Sequence, residues 1–141
     1  MTKPALLVHP PLGLFEMRLV DYDVVHWPTD RTDIEAAVTI GHVGISNKMI
    51  DALPKLRGIV CFGVGVDGLD LAHCKERGVE IAHGRDINHE DVADVAIGLM
   101  IARLRFFTEG ERVVREGTWT PPLAVPPQKR LRGRKLGIVG M

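Results

Sequence analysis

Five short apolar runs alternate with helix-patterned stretches along the first 82 residues, and that alternation constrains the fold more than any other feature of the chain. The runs cover residues 5–9, 23–27, 37–40, 58–62 and 79–82. Strand-like runs spaced by helical patterns predict an α/β domain with a mainly parallel sheet. Between them, residues 46–53 open on the capping residue Ser46 and stop before Pro54, as a short helix should. Residues 70–77 read as another helix, with Gly78 placed to end it. A longer helix follows from Asn88, a good N-cap, with Glu90 and Asp91 in the first turn where the helix dipole favours negative charge. Ala93, Ala96, Ile97, Met100, Leu104 and Phe107 fall on one stripe of it, while Val92, Val95, Leu99 and Ile101 cover much of the rest. A helix apolar nearly all round is buried on several sides. It either passes between domains or subunits or lies in a core, and the pattern alone supports both readings.

Composition narrows the function classes. The chain has 141 residues, enough for one domain with a real core, and equal numbers of basic and acidic residues, 18 each. Zero net charge leaves no electrostatic footprint for nucleic acid or an anionic membrane. The basic run 129–135 lacks interleaved aromatic residues and reads as a solvated linker. Cys61 and Cys74 form no C-x-x-C pair, which argues against a disulfide framework or a zinc site and for a reducing cytosol. The N-terminal apolar run is too brief for a signal peptide, and the longest uncharged apolar stretch, residues 95–102, falls far short of the roughly 20 residues that span a bilayer. A soluble cytoplasmic protein is expected. Residues 120–127 form a proline-rich connector without periodicity. The expected organisation is a substrate domain over 1–87, an interdomain helix over 88–117, a linker over 118–134, and the first strand of a truncated dinucleotide-binding domain over 135–141.

The informative internal motif is Gly63-Val64-Gly65-Val66-Asp67, after the fourth strand and before a helix. Ligands of open α/β sheets bind beyond the carboxyl ends of strands. Two glycines there let backbone N–H groups face outward as a nest for a carboxylate or phosphate; the competing reading is a tight strand-to-helix turn. None of the six histidines shows metal-ligand spacing, and only His42, in the loop after the third strand, is a candidate pocket residue. No Ser/His/Asp arrangement and no acid/base carboxylate pair is legible. The last residues, Leu136-Gly137-Ile138-Val139-Gly140, read as a buried strand running into a glycine. A strand ending on glycine opens the G-x-G-x-x-G fingerprint, with Gly140 as its first glycine. The chain therefore looks like the front of a larger two-domain protein.

Several blocks together resemble the D-2-hydroxyacid dehydrogenase family: Leu53-Pro54-Lys55-Leu56-Arg57-Gly58-Ile59-Val60, then Gly63-Val64-Gly65-Val66-Asp67-Gly68-Leu69-Asp70-Leu71, then Lys75-Glu76-Arg77-Gly78-Val79. Val92-Ala93-Asp94-Val95-Ala96-Ile97-Gly98-Leu99-Met100, Gly117-x-Trp119 and Leu131-x-Gly133-Arg134-Lys135-Leu136-Gly137-Ile138-Val139-Gly140 follow in the family's order. Within the family the likeness is nearest to glyoxylate, hydroxypyruvate and hydroxyphenylpyruvate reductases.

The resemblance implies a flavodoxin-like parallel-sheet substrate domain running into a Rossmann domain. It implies hydride transfer between NADP or NAD and the C2 carbon of a small 2-oxo or 2-hydroxy acid, with a weak tilt towards NADP, in a homodimer. It places the substrate carboxylate on the backbone amides of Val64 and Gly65, with the loop 41–46, including Ser46, facing the same cleft. Gly140 and His89 fall where relatives approach the cofactor. The catalytic histidine, its carboxylate partner and the substrate arginine match no residue of this chain. Three departures stand out. Gly68 replaces the usual asparagine, a change expected to alter only the turn. His83-Gly84-Arg85 stands where asparagine, threonine and proline are common, and His89 where threonine is frequent. The alternatives are a non-catalytic, cofactor-sensing or interaction protein on the same scaffold and a stand-alone flavodoxin-like module.

Overall fold

A computed structural model describes residues 2–120 and 125–140, so Pro121 to Ala124 of the proline-rich connector and Met141 lie outside the described residues. The chain divides into two compact units, Met1–Ile87 and Asn88–Met141.

The first unit is a five-stranded sheet. Strands β1 (Ala5–Val8), β2 (Asp23–Val25), β3 (Ala36–Ile40), β4 (Gly58–Phe62) and β5 (Glu80–His83) lie in the order β2-β1-β3-β4-β5, all parallel. This is the flavodoxin-like order expected of the substrate domain. Register aligns Leu7 with Ala37 and Ala37 with Ile59, so alternate residues of neighbouring strands stack on one face. That face carries the main core, where helices α1 (Asn47–Asp51) and α2 (Leu71–Glu76) bury Met49, Ile50 and Cys74 against Leu7, Ala37, Ile59 and Cys61. Burying a side chain such as Ile50 contributes roughly 1.5–3 kcal/mol. On the opposite face Leu6, Val8 and Val38 lie under Leu12, Phe15 and Leu19. These three come from and around a 3-10 helix, Gly13–Arg18, that the sequence pattern did not reveal. On the same side β4 leaves Val60 and Phe62 exposed, with the Phe62 ring 4.7 Å from that of Phe15.

Both short helices start on a side-chain cap. The Ser46 hydroxyl accepts from Met49 N–H at the start of α1, and Asp70 accepts from His73 N–H at the start of α2. Gly78, with φ 67°, takes the left-handed position beyond α2. Surface pairs tie the two helices. Asn47 Nδ2 donates to Asp70 Oδ2 at 3.0 Å, and Asp51 Oδ1 receives His73 Nε2 at 3.0 Å together with the Arg77 guanidinium. The Asn47 amide, then the His73 N–H, hold the Asp70 carboxyl below its ordinary pKa, and the His73 ring, then Arg77, do the same for Asp51. Cys61 and Cys74 are free and buried, and burial pushes both thiols up, away from nucleophilic character.

The second unit departs from expectation in three places. The single helix from Asn88 is two, α3 (His89–Leu104) and α4 (Phe107–Arg115), broken at Phe106, whose φ of 53° and ψ of 46° are left-handed. Phe107 therefore starts α4 instead of ending the α3 stripe. Asn88 precedes α3 without any side-chain capping bond, and no residue of α3 is buried. Residues 135–140 form no strand and are exposed. A strand exists only by pairing with a neighbour, and among the described residues nothing pairs with this segment. No helix of the described residues is long and apolar enough to cross a membrane.

Candidate functional site

Parallel strands end at one edge of their sheet, and at that edge β3, β4 and β5 each run into a loop containing glycine. The β4 exit begins at Gly63, whose φ of 109° is open to glycine alone. Gly84, just past β5, donates its N–H to Gly63 O at 2.6 Å. His83, the last residue of β5, sets Nδ1 2.9 Å from Val64 O.

On the other side the turn meets the exit of β3. Gly68 N–H donates to Gly41 O at 2.6 Å. A Cβ on Gly41 would run into the Gly65 carbonyl, and one on Gly44 into the Gly68 carbonyl. A Cβ on Gly68 would stand 2.5 Å from Gly44 N and 2.6 Å from Val43 C. The pairs Gly41/Gly44 and Gly65/Gly68, each spaced by three, thus pack backbone on backbone. Gly44 also has φ 69°, and its carbonyl accepts from Thr39 Oγ1 at 2.8 Å. Thr39 is fully buried, so one hydroxyl satisfies itself by fixing the loop. Gly68 therefore does more than alter a turn, contrary to the expectation from its replacement of asparagine: any side chain there would push the two loops apart.

The clamps decide where the amides point. In a trans peptide the N–H lies opposite the preceding C=O. With the carbonyls of Gly63 and Val64 both tied to β5 and its exit, the N–H groups of Val64 and Gly65 face the other way. Among the described residues neither N–H donates to a backbone acceptor, and both residues are exposed. The tight turn is present, and it leaves two donors directed outward, the arrangement that binds an anion. A Cβ on Gly65 would meet only the Asp67 carboxylate, at 3.0 Å, so the position is open on its outer side.

The first unit thus brings the turn holding Val64 and Gly65 against the loop that leads to Ser46. Ser46 spends an oxygen lone pair on the Met49 N–H at 3.4 Å. His42 is exposed in the same loop. His89 is the first residue of α3 and Gly140 has φ 81°, both in the second unit. That φ suits a fingerprint glycine, but the described residues assemble no cradle for a pyrophosphate around it. No group of three His, Cys, Asp or Glu among them could hold a metal ion. Sequence reasoning put the loop 41–46 at the cleft but missed the backbone packing of Gly41 and Gly44 in it, and missed Thr39 and His83 as parts of the site. The shared spacing of three at two neighbouring strand exits was the available signal for the glycines.

Residues 24–119 match the family described as D-isomer specific 2-hydroxyacid dehydrogenase, catalytic domain. A glyoxylate/hydroxypyruvate reductase of Arabidopsis thaliana is 35% identical over 115 residues, 82% of this chain and 36% of the relative. A solved 2-hydroxyacid dehydrogenase from Ketogulonicigenium vulgare superposes with a TM-score of 0.83 at 32% identity, covering 95% of this chain and 46% of that one. An NADPH-dependent glyoxylate/hydroxypyruvate reductase from Sinorhizobium meliloti, solved with NADP and malonate, gives a TM-score of 0.77 at 28% identity, over 94% and 44% of the two chains. The chain thus spans about a third of the length of its curated relative.

Proposed function

The chain belongs to the D-isomer specific 2-hydroxyacid dehydrogenase family, and on that premise we propose that it supplies the substrate carboxylate cradle of an NAD(P)-dependent oxidoreductase acting on a small 2-oxo or 2-hydroxy acid. Two outward, unengaged amides at the carboxyl end of β4 carry this reading. A carboxylate docked on Val64 and Gly65 N–H receives two charge-assisted hydrogen bonds, and the rigid turn fixes the direction of the adjoining C2 carbon. Ser46 borders the same site. A bound nicotinamide cofactor would supply the hydride; Gly140 and His89 are the positions in this chain proposed to approach that cofactor, Gly140 as the first fingerprint glycine. Reduction also needs a proton donor at the carbonyl oxygen. No described residue is proposed as that donor, and the catalytic acid is proposed to match no residue of this chain.

Glyoxylate or hydroxypyruvate is the proposed substrate type, NADP the favoured cofactor with NAD as the alternative, and the cytoplasm the proposed location. The arrangement is proposed to be a homodimer with α3 in the interface, because Val92, Val95, Leu99 and Ile101 lie bare on that helix. The test is oxidation of NADPH and NADH by the complete protein, with glyoxylate and hydroxypyruvate. Turnover of either acid supports the enzyme. Cofactor binding without turnover of any 2-oxo acid would instead support a cofactor-sensing protein on the same scaffold.

A further inference from the structure

We infer that His83 is a positioning residue for the carboxylate cradle: it locks the Val64–Gly65 peptide so that the Gly65 N–H faces the ligand. This rests on the cradle proposed above. A carbonyl oxygen only accepts, so the 2.9 Å contact requires the proton on His83 Nδ1, and the Val64 carbonyl is its acceptor. Rotation of the Val64–Gly65 peptide would carry that carbonyl away from the ring and turn the Gly65 N–H off the ligand side. The neighbouring peptide is held separately, by Gly84 N–H on Gly63 O at 2.6 Å. The loop 41–46 blocks movement on the far side, since the Gly65 carbonyl already lies against Gly41. Each amide of the cradle thus has its own anchor. The Val64 amide depends on a backbone bond that no substitution at position 83 removes, and the Gly65 amide on one side chain.

The anchor is chemically simple enough to exchange. An asparagine Nδ2, like histidine Nδ1, is bonded to Cγ and can donate to the same carbonyl, whereas phenylalanine keeps a ring and loses the donor. The experiment uses the 141-residue chain labelled with 15N, in four forms: parent, His83→Ala, His83→Phe and His83→Asn. Without ligand, the Gly65 amide is expected to be rigid by heteronuclear NOE in the parent and in His83→Asn, and mobile in His83→Ala and His83→Phe. The Val64 amide should change little. On titration with sodium glyoxylate, the Kd read at the Val64 and Gly65 resonances should rise about three- to tenfold in His83→Ala and His83→Phe, and stay within about twofold of the parent in His83→Asn. Equal rigidity and equal Kd in all four forms would overturn the inference, as would rescue by phenylalanine but not asparagine. If Gly65 loosens as expected while glyoxylate moves neither resonance even in the parent, the lock stands and the carboxylate reading falls.

Discussion

The two units use their glycines and their apolar side chains in opposite ways. In Met1–Ile87, Gly41, Gly44 and Gly68 sit where any Cβ would strike backbone, and Leu7, Ile34, Ile45, Ile50 and Ile59 are fully buried. In Asn88–Met141, an added Cβ at Gly98, Gly110 or Gly137 would meet nothing, and Val113 is the one buried hydrophobic residue among those described. Leu99 of α3 is 65% exposed. A sheet with helices on one face closes its own core within some 80 residues. A helix apolar on every side has no such solution in its own unit and calls for a covering surface. The first unit thus closes a core on one face of its sheet, and the second is a set of surfaces.

Paired glycine substitutions should break or sharpen that contrast most strongly. Gly44→Ala adds a backbone collision to a left-handed φ, so thermal unfolding should show a loss of about 3 kcal/mol or more, enough to leave the first unit largely unfolded. Gly98→Ala, in the open on a helix, should gain up to about 1 kcal/mol. Similar effects from both would dissolve the distinction.

Leu99→Glu addresses the proposed cover on α3. A charge buried without a partner should weaken self-association about a hundredfold, read by sedimentation equilibrium, with the melting of the first unit unchanged. An identical sedimentation profile would remove α3 from the interface.

Gly65→Ala separates binding from folding inside the first unit. The added methyl meets only the end of the Asp67 side chain, so melting should shift little while glyoxylate affinity falls about tenfold. Unchanged affinity in a folded variant would move the anion site elsewhere.

The smallest effect is acid sensitivity. The folded-state carboxyls of Asp51 and Asp70 titrate below their ordinary values, and the hydrogen-bonded Arg31 guanidinium lowers Asp33 to about 2. A depressed carboxylate pKa stabilises the fold above the unfolded value, roughly pH 4, and that contribution is lost as pH falls through the folded value. Asp51→Asn should therefore raise the midpoint of acid unfolding, followed by circular dichroism, with its stability deficit relative to the parent shrinking as the pH falls below about 4. A lowered midpoint would contradict the sign.

Much of the first unit was legible because its signals are local. Ser46 and Asp70 cap helices by bonds made within three residues, Gly78 ends one by its own φ, and alternation in β4 puts Ile59 and Cys61 inside and Val60 and Phe62 outside. The site was legible only in part. Gly63 and Gly65 announce a turn, but the aim of the Val64 and Gly65 amides depends on Gly84, His83 and Gly41, which arrive from other strands. The second unit was less legible: Asn88 has the chemistry of a cap without making the bond, the break at Phe106 has no glycine or proline to mark it, and residues 136–139 have strand composition but pair with no strand among the described residues.

The Val64 and Gly65 amides are proposed to hold a carboxylate. Crystals of the chain soaked in glyoxylate test it most directly. The account predicts electron density for the acid with its carboxylate oxygens within about 2.7–3.2 Å of Val64 N and Gly65 N. Density for the acid elsewhere, with both amides facing water alone, would contradict it.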